Sequence, residues 1–309
     1  MVSALNKIKE NIGRVILDKN DAVEMILLSL ICKGHLLIED VPGLGKTMLA
    51  RSLAKSLNCE THRIQFTPDL LPSDITGISI YDQGKQTFRF IPGPVFTNLL
   101  LADEINRTSP RTQSALLESM EERQVSVDGE TRLLPGLFMV MATQNPVEQS
   151  GTYPLPEAQM DRFFMRISMG YPSPRAEAAI ITSQQLQHPI HTLQPVASIE
   201  DILQLQAQVT KVKIEDSLKE YIVNICNATR SHPLVKLGVS PRGSLALARA
   251  SQGLALMKGR SYVEPSLIKE LAVPVLAHRM MLKSDAKIQN MTSADIIKNI
   301  LGKVSVPVL

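Results

Sequence analysis

The residues with the clearest chemical potential are a lysine and a threonine set behind two glycines, Gly43-Leu44-Gly45-Lys46-Thr47. Glycines at 43 and 45 let a backbone loop close around phosphate oxygens and turn successive N–H groups inward. Lys46 can then reach the β- and γ-phosphates of a nucleotide, and the Thr47 hydroxyl can ligate Mg²⁺. The motif GxxxxGK[ST] would have its first glycine at position 40, where this chain carries Asp40. About 55 residues further on, the apolar run Leu99-Leu100-Leu101-Ala102 ends in two carboxylates, Asp103 and Glu104. Asp103 suits holding Mg²⁺ through its water shell, and Glu104 suits polarising an attacking water. After a further apolar run, Asn145 in the string ATQNP could position that water or the γ-phosphate, or could simply make an Asn-Pro turn.

Such residues must sit in loops at the ends of buried strands. His35–Glu39 is an apolar run of strand length, and the helical pattern opened by Lys46 repeats leucine at Leu49, Leu53 and Leu57. Further strands are expected at 62–66, 99–103, 137–142 and 163–169. Helices are expected at 4–16 and 20–33, the second ending on Gly34 as its C′ residue, and at 106–123 after a short loop. Residues 67–94 are irregular but contain a hairpin, with Ile78 and Ile80 before Gln83-Gly84 and Phe88 and Phe90 after it. A second hairpin at 124–134 turns at Asp128-Gly129. Continuous apolar strands alternating with helices imply a parallel sheet covered on both faces.

The pattern changes at the proline-rich stretch 170–177, after which it is helical throughout. Two capping boxes, Ser198 to Asp201 and Thr292 to Asp295, open helices there. The expected fold class is α/β, with a nucleotide-binding core over 1–172 and an all-helical lid domain over 173–309.

Composition narrows the function further. A net charge of +3 gives no reason to expect nucleic acid as the main partner. No apolar run reaches the roughly 20 residues needed to span a bilayer. Cys32, Cys59 and Cys226 form no CxxC pair and read as buried free thiols suited to a reducing cytoplasm. The histidines lack metal-site spacing, so no structural metal is expected.

The strings HLLIEDVPGLGKT, LLLADEINR, ALLESMEERQVSVDG, MATQNP and LPEAQMDRFF, with SPRG in the helical part, together resemble the MoxR family of AAA+ ATPases. The resemblance runs through residues 10–172 and extends to 240–243, and Asp40 is typical of that family. It implies a P-loop AAA+ core, with 67–94 as an insert in the helix after the second strand and 124–134 as the hairpin before the sensor strand. It also implies ATP bound by Pro42, Gly43, Leu44, Gly45, Lys46, Thr47 and Met48, and Mg²⁺ held by Thr47 and Asp103. Glu104 and Asn145 take the catalytic-base and first-sensor roles. Arg162 resembles the arginine finger offered to a neighbouring subunit, the alternative being an ion pair to Asp161 or Glu157. Arg242 resembles the second sensor, reaching from the lid onto its own subunit's nucleotide, the alternative being a surface residue at a helix start. A guanidinium suits both roles because its planar fork pairs with phosphate oxygens and stays charged. Arg107 and Arg111 flank the acidic pair and could face an interface or solvent. Where family members carry Gly-Gln, this chain has Asp18-Lys19; base contacts are expected from Val15 and Ile16.

The expected function is Mg-dependent ATP hydrolysis by a homo-oligomeric ring, a hexamer by resemblance, that remodels or assembles protein clients. Proteins with von Willebrand factor A domains are the partners the resemblance implies. Alternatives are a chelatase- or helicase-type AAA+ motor subunit, or a nucleotide-dependent switch that needs no turnover.

Overall fold

The computed structural model describes residues 2–307 apart from 147–150, 184, 186 and 187. The chain opens with helices α1 (Val2–Gly13) and α2 (Asn20–Ile31), then β1 (Leu36–Glu39), α3 (Lys46–Leu57) and β2 (Thr61–Gln65). A short helix α4 (Pro72–Thr76) and the hairpin β3 (Gly77–Asp82) and β4 (Thr87–Pro92) precede β5 (Leu99–Asp103). Helix α5 (Pro110–Glu122) leads to a second hairpin, β6 (Gln124–Val127) and β7 (Glu130–Leu133), and then to β8 (Met139–Gln144). One helical turn, α6 (Glu157–Met160), and β9 (Met165–Ile167) follow.

Strands β2-β5-β8-β1-β9 form one parallel sheet in that order. Alternation along the strands sends successive side chains to opposite faces. Leu36, Ile38, Leu99, Leu101, Met139 and Met141 enter one core with α1, α2 and α3. Leu37, Leu100, Ala102, Val140 and Ala142 enter the other with Leu116, Leu117 and Met120 of α5. Both faces are covered, as the continuous apolar strands require.

From residue 174 the described chain is helical apart from one short strand pair. Its elements are α7 (Pro174–Ser183), α8 (Ile199–Val209), α9 (Asp216–Ser231), β10 (Val235–Leu237), α10 (Pro241–Met257) and α11 (Pro265–Leu276). They continue with β11 (Met281–Leu282), α12 (Ser284–Ile288) and α13 (Ser293–Lys303). The capping boxes of α8 and α13 form as expected, Ser198 with Asp201 and Thr292 with Asp295. Helices α1 and α2 share one continuous buried cluster with α8 to α11. Buried Gln206 of α8 donates to the Leu30 carbonyl of α2 at 2.8 Å.

Polar contacts clamp the α11 end to the core. Arg279, only 2% exposed, donates from Nε to Asp161 Oδ1 at 2.8 Å and from Nη2 to the Phe163 carbonyl at 2.6 Å. Ser240 donates to Asp161 Oδ2 at 2.7 Å. Burial pulls the Arg279 guanidinium down to about 10, and burial beside Arg279 pushes His278 well below the ordinary histidine range.

Three local expectations shift. The left-handed residue after α2 is Lys33 (φ 57°), and not Gly34. Glycine is required at 34 for a different reason: a Cβ there would meet the Phe164 side chain at 2.4 Å. The strand expected at 163–169 is confined to Met165–Ile167, because residues 168–170 turn their donors onto Asp40. The strand expected at 137–142 begins at Met139, since the Leu137 carbonyl accepts from the Asn98 side chain instead. Both hairpins form. Asp128 (φ 55°) and Gly129 (φ 79°) make the tight turn of β6–β7, and the Asp82 carboxylate organises β3–β4 by accepting from Gly84 and Lys85 N–H.

Candidate active site

The loop between β1 and α3 carries Gly43 at φ 86° and Gly45 at φ 87°, both in the left-handed region that favours glycine. This winds the loop tightly before Lys46 starts α3. The α3 N-terminus then points its free backbone N–H groups into a cleft of about 380 Å³. Gly43, Gly45, Lys46, Thr47, Asp103, Glu104 and Asn145 line the same cleft, so three separate stretches of the chain converge there. Lys46 Nζ donates to the Asp40 carbonyl at 2.7 Å. Partial burial lowers its pKa, and nearby Asp40, Asp103 and Glu104 oppose that shift.

Adjacent parallel strands set the acidic pair. Asp103 ends β5 and lies in register with Gln65 at the end of β2. The Thr143 hydroxyl of β8 donates to Asp103 Oδ1 at 2.5 Å and accepts from the Glu104 N–H at 2.8 Å. Arg63 contacts Asp103 Oδ2 with Nη2 at 2.7 Å, while Gln65 Nε2 donates to Glu104 Oε2 at 2.8 Å. Arg107 also reaches Glu104 Oε2, at 3.0 Å. Glu104 itself sits at φ 58°, a left-handed conformation that strains a non-glycine residue at the mouth of the cleft. Thr47 and Asp103 offer hydroxyl and carboxylate oxygens, the hard donors that Mg²⁺ takes, so the residues present fit that ion.

A second cleft of about 450 Å³ continues from the first, sharing Pro42, Gly43, Gly45 and Met48. Val15 and Ile16 line it, as does Leu44, along with Lys19, Tyr171 and Ile180. Its apolar walls and few polar groups suit a heterocycle beside a phosphate site.

Arg162 and Arg242 lie elsewhere. Neither lines either cleft among the described residues. Both pair with Glu121 near the end of α5, Arg162 Nε at 3.0 Å and Arg242 through Nη2. Arg242, at the start of α10, pairs with Glu121 of α5 in this conformation. Arg162 forms an ion pair, but not with Asp161, which Arg279 and Ser240 occupy.

Sequence reasoning missed Arg63, Gln65 and Thr143, all of which line the cleft. The signal for the first two was their spacing of two in HRIQF, which puts both on one face of a strand. Nothing in the sequence alone shows that β2 neighbours β5.

Residues 35–165 match the family described as ATPase family associated with various cellular activities (AAA), and 227–300 match the AAA lid domain. Chaperone MoxR1 of Mycobacterium tuberculosis is 42% identical, over 99% of this chain and 83% of that protein. The chain belongs to the MoxR family of AAA+ ATPases. Another MoxR relative, Protein MoxR of Paracoccus denitrificans, is 31% identical over 87% of this chain and 86% of its own length. The uncharacterized YeaC protein of Bacillus subtilis is 55% identical over 98% of this chain and 95% of its own. A crystal structure from Cytophaga hutchinsonii, provisionally described as an ATPase, superposes with a TM-score of 0.91 at 38% identity. That match covers 99% of this chain and 96% of the other. As a MoxR-family protein, the chain has a P-loop α/β core and a helical lid.

Proposed function

We propose that this MoxR-family chain hydrolyses ATP in the paired clefts and uses the cycle to remodel or assemble protein clients. One observation carries the hydrolytic part: Lys46, Thr47, Asp103, Glu104 and Asn145, from three separate strand ends, line one cleft. In this reading Pro42 to Met48 wrap the phosphates, with Lys46 moving from the Asp40 carbonyl onto a phosphate oxygen. Thr47 and Asp103 would hold Mg²⁺, which when bound neutralises charge on the β- and γ-phosphates. Glu104 takes the proton of the attacking water, and Asn145 orients that water. Val15 and Ile16 pack against the base. A pure switch would need neither Glu104 nor Asn145 in the cleft, so their placement favours turnover. Residues 1–172 act as the core and 173–309 as the lid.

Arg242 is the lid residue proposed to reach its own subunit's nucleotide, while Arg162, paired with Glu121 outside its own cleft, supports a site completed by a neighbouring subunit. That requires head-to-tail contact, which closes into a ring, taken here as a hexamer, when the rotation permits. The client role rests on similarity to a protein named a chaperone, and von Willebrand factor A domain proteins are the proposed partner class. Three unpaired cysteines agree with a cytoplasmic location. No described helix is long and apolar enough to cross a membrane.

Glu104→Gln tests the assignment. It is expected to lower ATP turnover by about 10²- to 10⁴-fold while ATP binding persists. Unchanged turnover would remove Glu104 as the base.

A further inference from the structure

We propose that Asp40, Asp18 and Lys19 form a clasp on the sheet-to-lid passage that positions the nucleoside side of the site. The proposal rests on reading the second cleft as the nucleoside's. The segment 168–173 joins β9 to α7 and is the passage from sheet to lid. Its polar groups are taken up one after another by these three side chains. The Asp40 carboxylate, only 7% exposed, accepts from Ser168 Oγ at 2.7 Å, Met169 N–H at 2.5 Å and Gly170 N–H at 3.3 Å. Lys19 Nζ donates to the Tyr171 carbonyl at 2.6 Å, and Asp18 Oδ2 accepts from the Ser173 N–H at 2.9 Å. Between the two last contacts stand Tyr171 and Pro172, which form one wall of the second cleft opposite Val15 and Ile16.

The chemistry explains the residue types. A carboxylate can accept from several N–H and O–H donors at once, as three converging donors at Asp40 demand. The glycine of the usual phosphate-loop motif would leave those donors unmatched. Hydrogen bonds from Ser173 hold Asp18 below the usual carboxylate range, so it stays an acceptor. Asp40 also offers its carbonyl to Lys46, so one residue touches both the phosphate loop and the lid passage. Asp40 borders the phosphate cleft and its carboxylate also acts on Lys46, so it joins the two sides, whereas Asp18 and Lys19 hold the lid passage alone. Loss of the Asp18 side chain should therefore loosen the nucleoside wall and spare phosphate recognition, while loss of the Asp40 charge should lower the preference for a nucleoside diphosphate over pyrophosphate.

The comparison of ADP with inorganic pyrophosphate isolates the nucleoside, since both carry a diphosphate. Titration calorimetry would be run on the wild type, Asp40→Asn and Asp18→Gly. Asparagine places an amide donor against backbone donors. Glycine accepts the left-handed φ of 59° at position 18 without strain while deleting the carboxylate. Each variant is expected to lower the ADP-to-pyrophosphate affinity ratio by about tenfold. Pyrophosphate affinity should hold in Asp18→Gly; in Asp40→Asn both diphosphates gain as negative charge leaves the phosphate loop, so the ratio of the two affinities is the reading. An unchanged ratio in both variants overturns the clasp. Equal weakening of both ligands, with a lowered unfolding temperature, also overturns it by showing a merely structural role. A wild type that binds ADP no more tightly than pyrophosphate defeats the nucleoside reading itself, and the clasp with it.

Discussion

Arg63 holds Asp103 at 2.7 Å, so the carboxylate assigned to Mg²⁺ already has a cationic partner. Competition between the two cations predicts that Arg63→Met lowers the Mg²⁺ concentration needed for half-maximal turnover. A severalfold rise would instead make Arg63 a phosphate ligand. His35 is a second residue-scale constraint. Its Nε2–H donates to the Met120 carbonyl and its Nδ1 accepts from Val140 N–H, both at 3.0 Å, so the neutral ring stitches β1, α5 and β8 together. Burial pushes it down to about 3. The unfolded chain gains a proton below about 6.5 while the folded one does not, so stability is full above 6.5 and falls as pH drops toward 3. His278 shifts in the same direction. The urea midpoint should therefore fall on acidification from pH 7 to 5, by up to about 1.4 kcal/mol per pH unit for each histidine. A midpoint that rises over this range contradicts the assignment. The motif residues Lys46, Thr47, Asp103, Glu104 and Asn145 were legible in the sequence because each chemistry restricts residue type. Arg63 was not, because an arginine on a strand has many uses until its neighbour is known.

At the scale of elements, strands and hairpins followed from hydrophobic period and turn chemistry. The polar clamp between Asp161 and Arg279 did not, as its partners are 118 residues apart. Removing one member of a buried pair leaves the other charge and several carbonyls unmatched. Arg279→Met is expected to cost about 3–5 kcal/mol in chemical denaturation. A change below about 1 kcal/mol would mean that water replaces the guanidinium, which near-complete burial argues against. Gly34 teaches a related point: its place after a helix suggested a C-cap, yet close approach of Phe164 is what excludes a side chain.

For the whole molecule, the pairing of Arg162 and Arg242 on Glu121 is the arrangement with the largest consequence. If Arg162 serves a neighbour, turnover per subunit should rise with protein concentration. Arg162→Ala should lose about 10³-fold or more, as removal of an arginine finger does. Flat turnover with a normal variant would make Arg162 structural and the site self-contained.

By itself the sequence determined the α/β core, the helical lid and the motif residues that line the first cleft. These depend on local period, on turn chemistry and on residue types that few reactions share. Tertiary structure alone decided which strand ends meet, that Gln65 and Arg63 face the acidic pair, and that Arg242 docks on Glu121. Those contacts join residues far apart in the chain, and no local pattern encodes which of many possible partners packing will bring within hydrogen-bond reach.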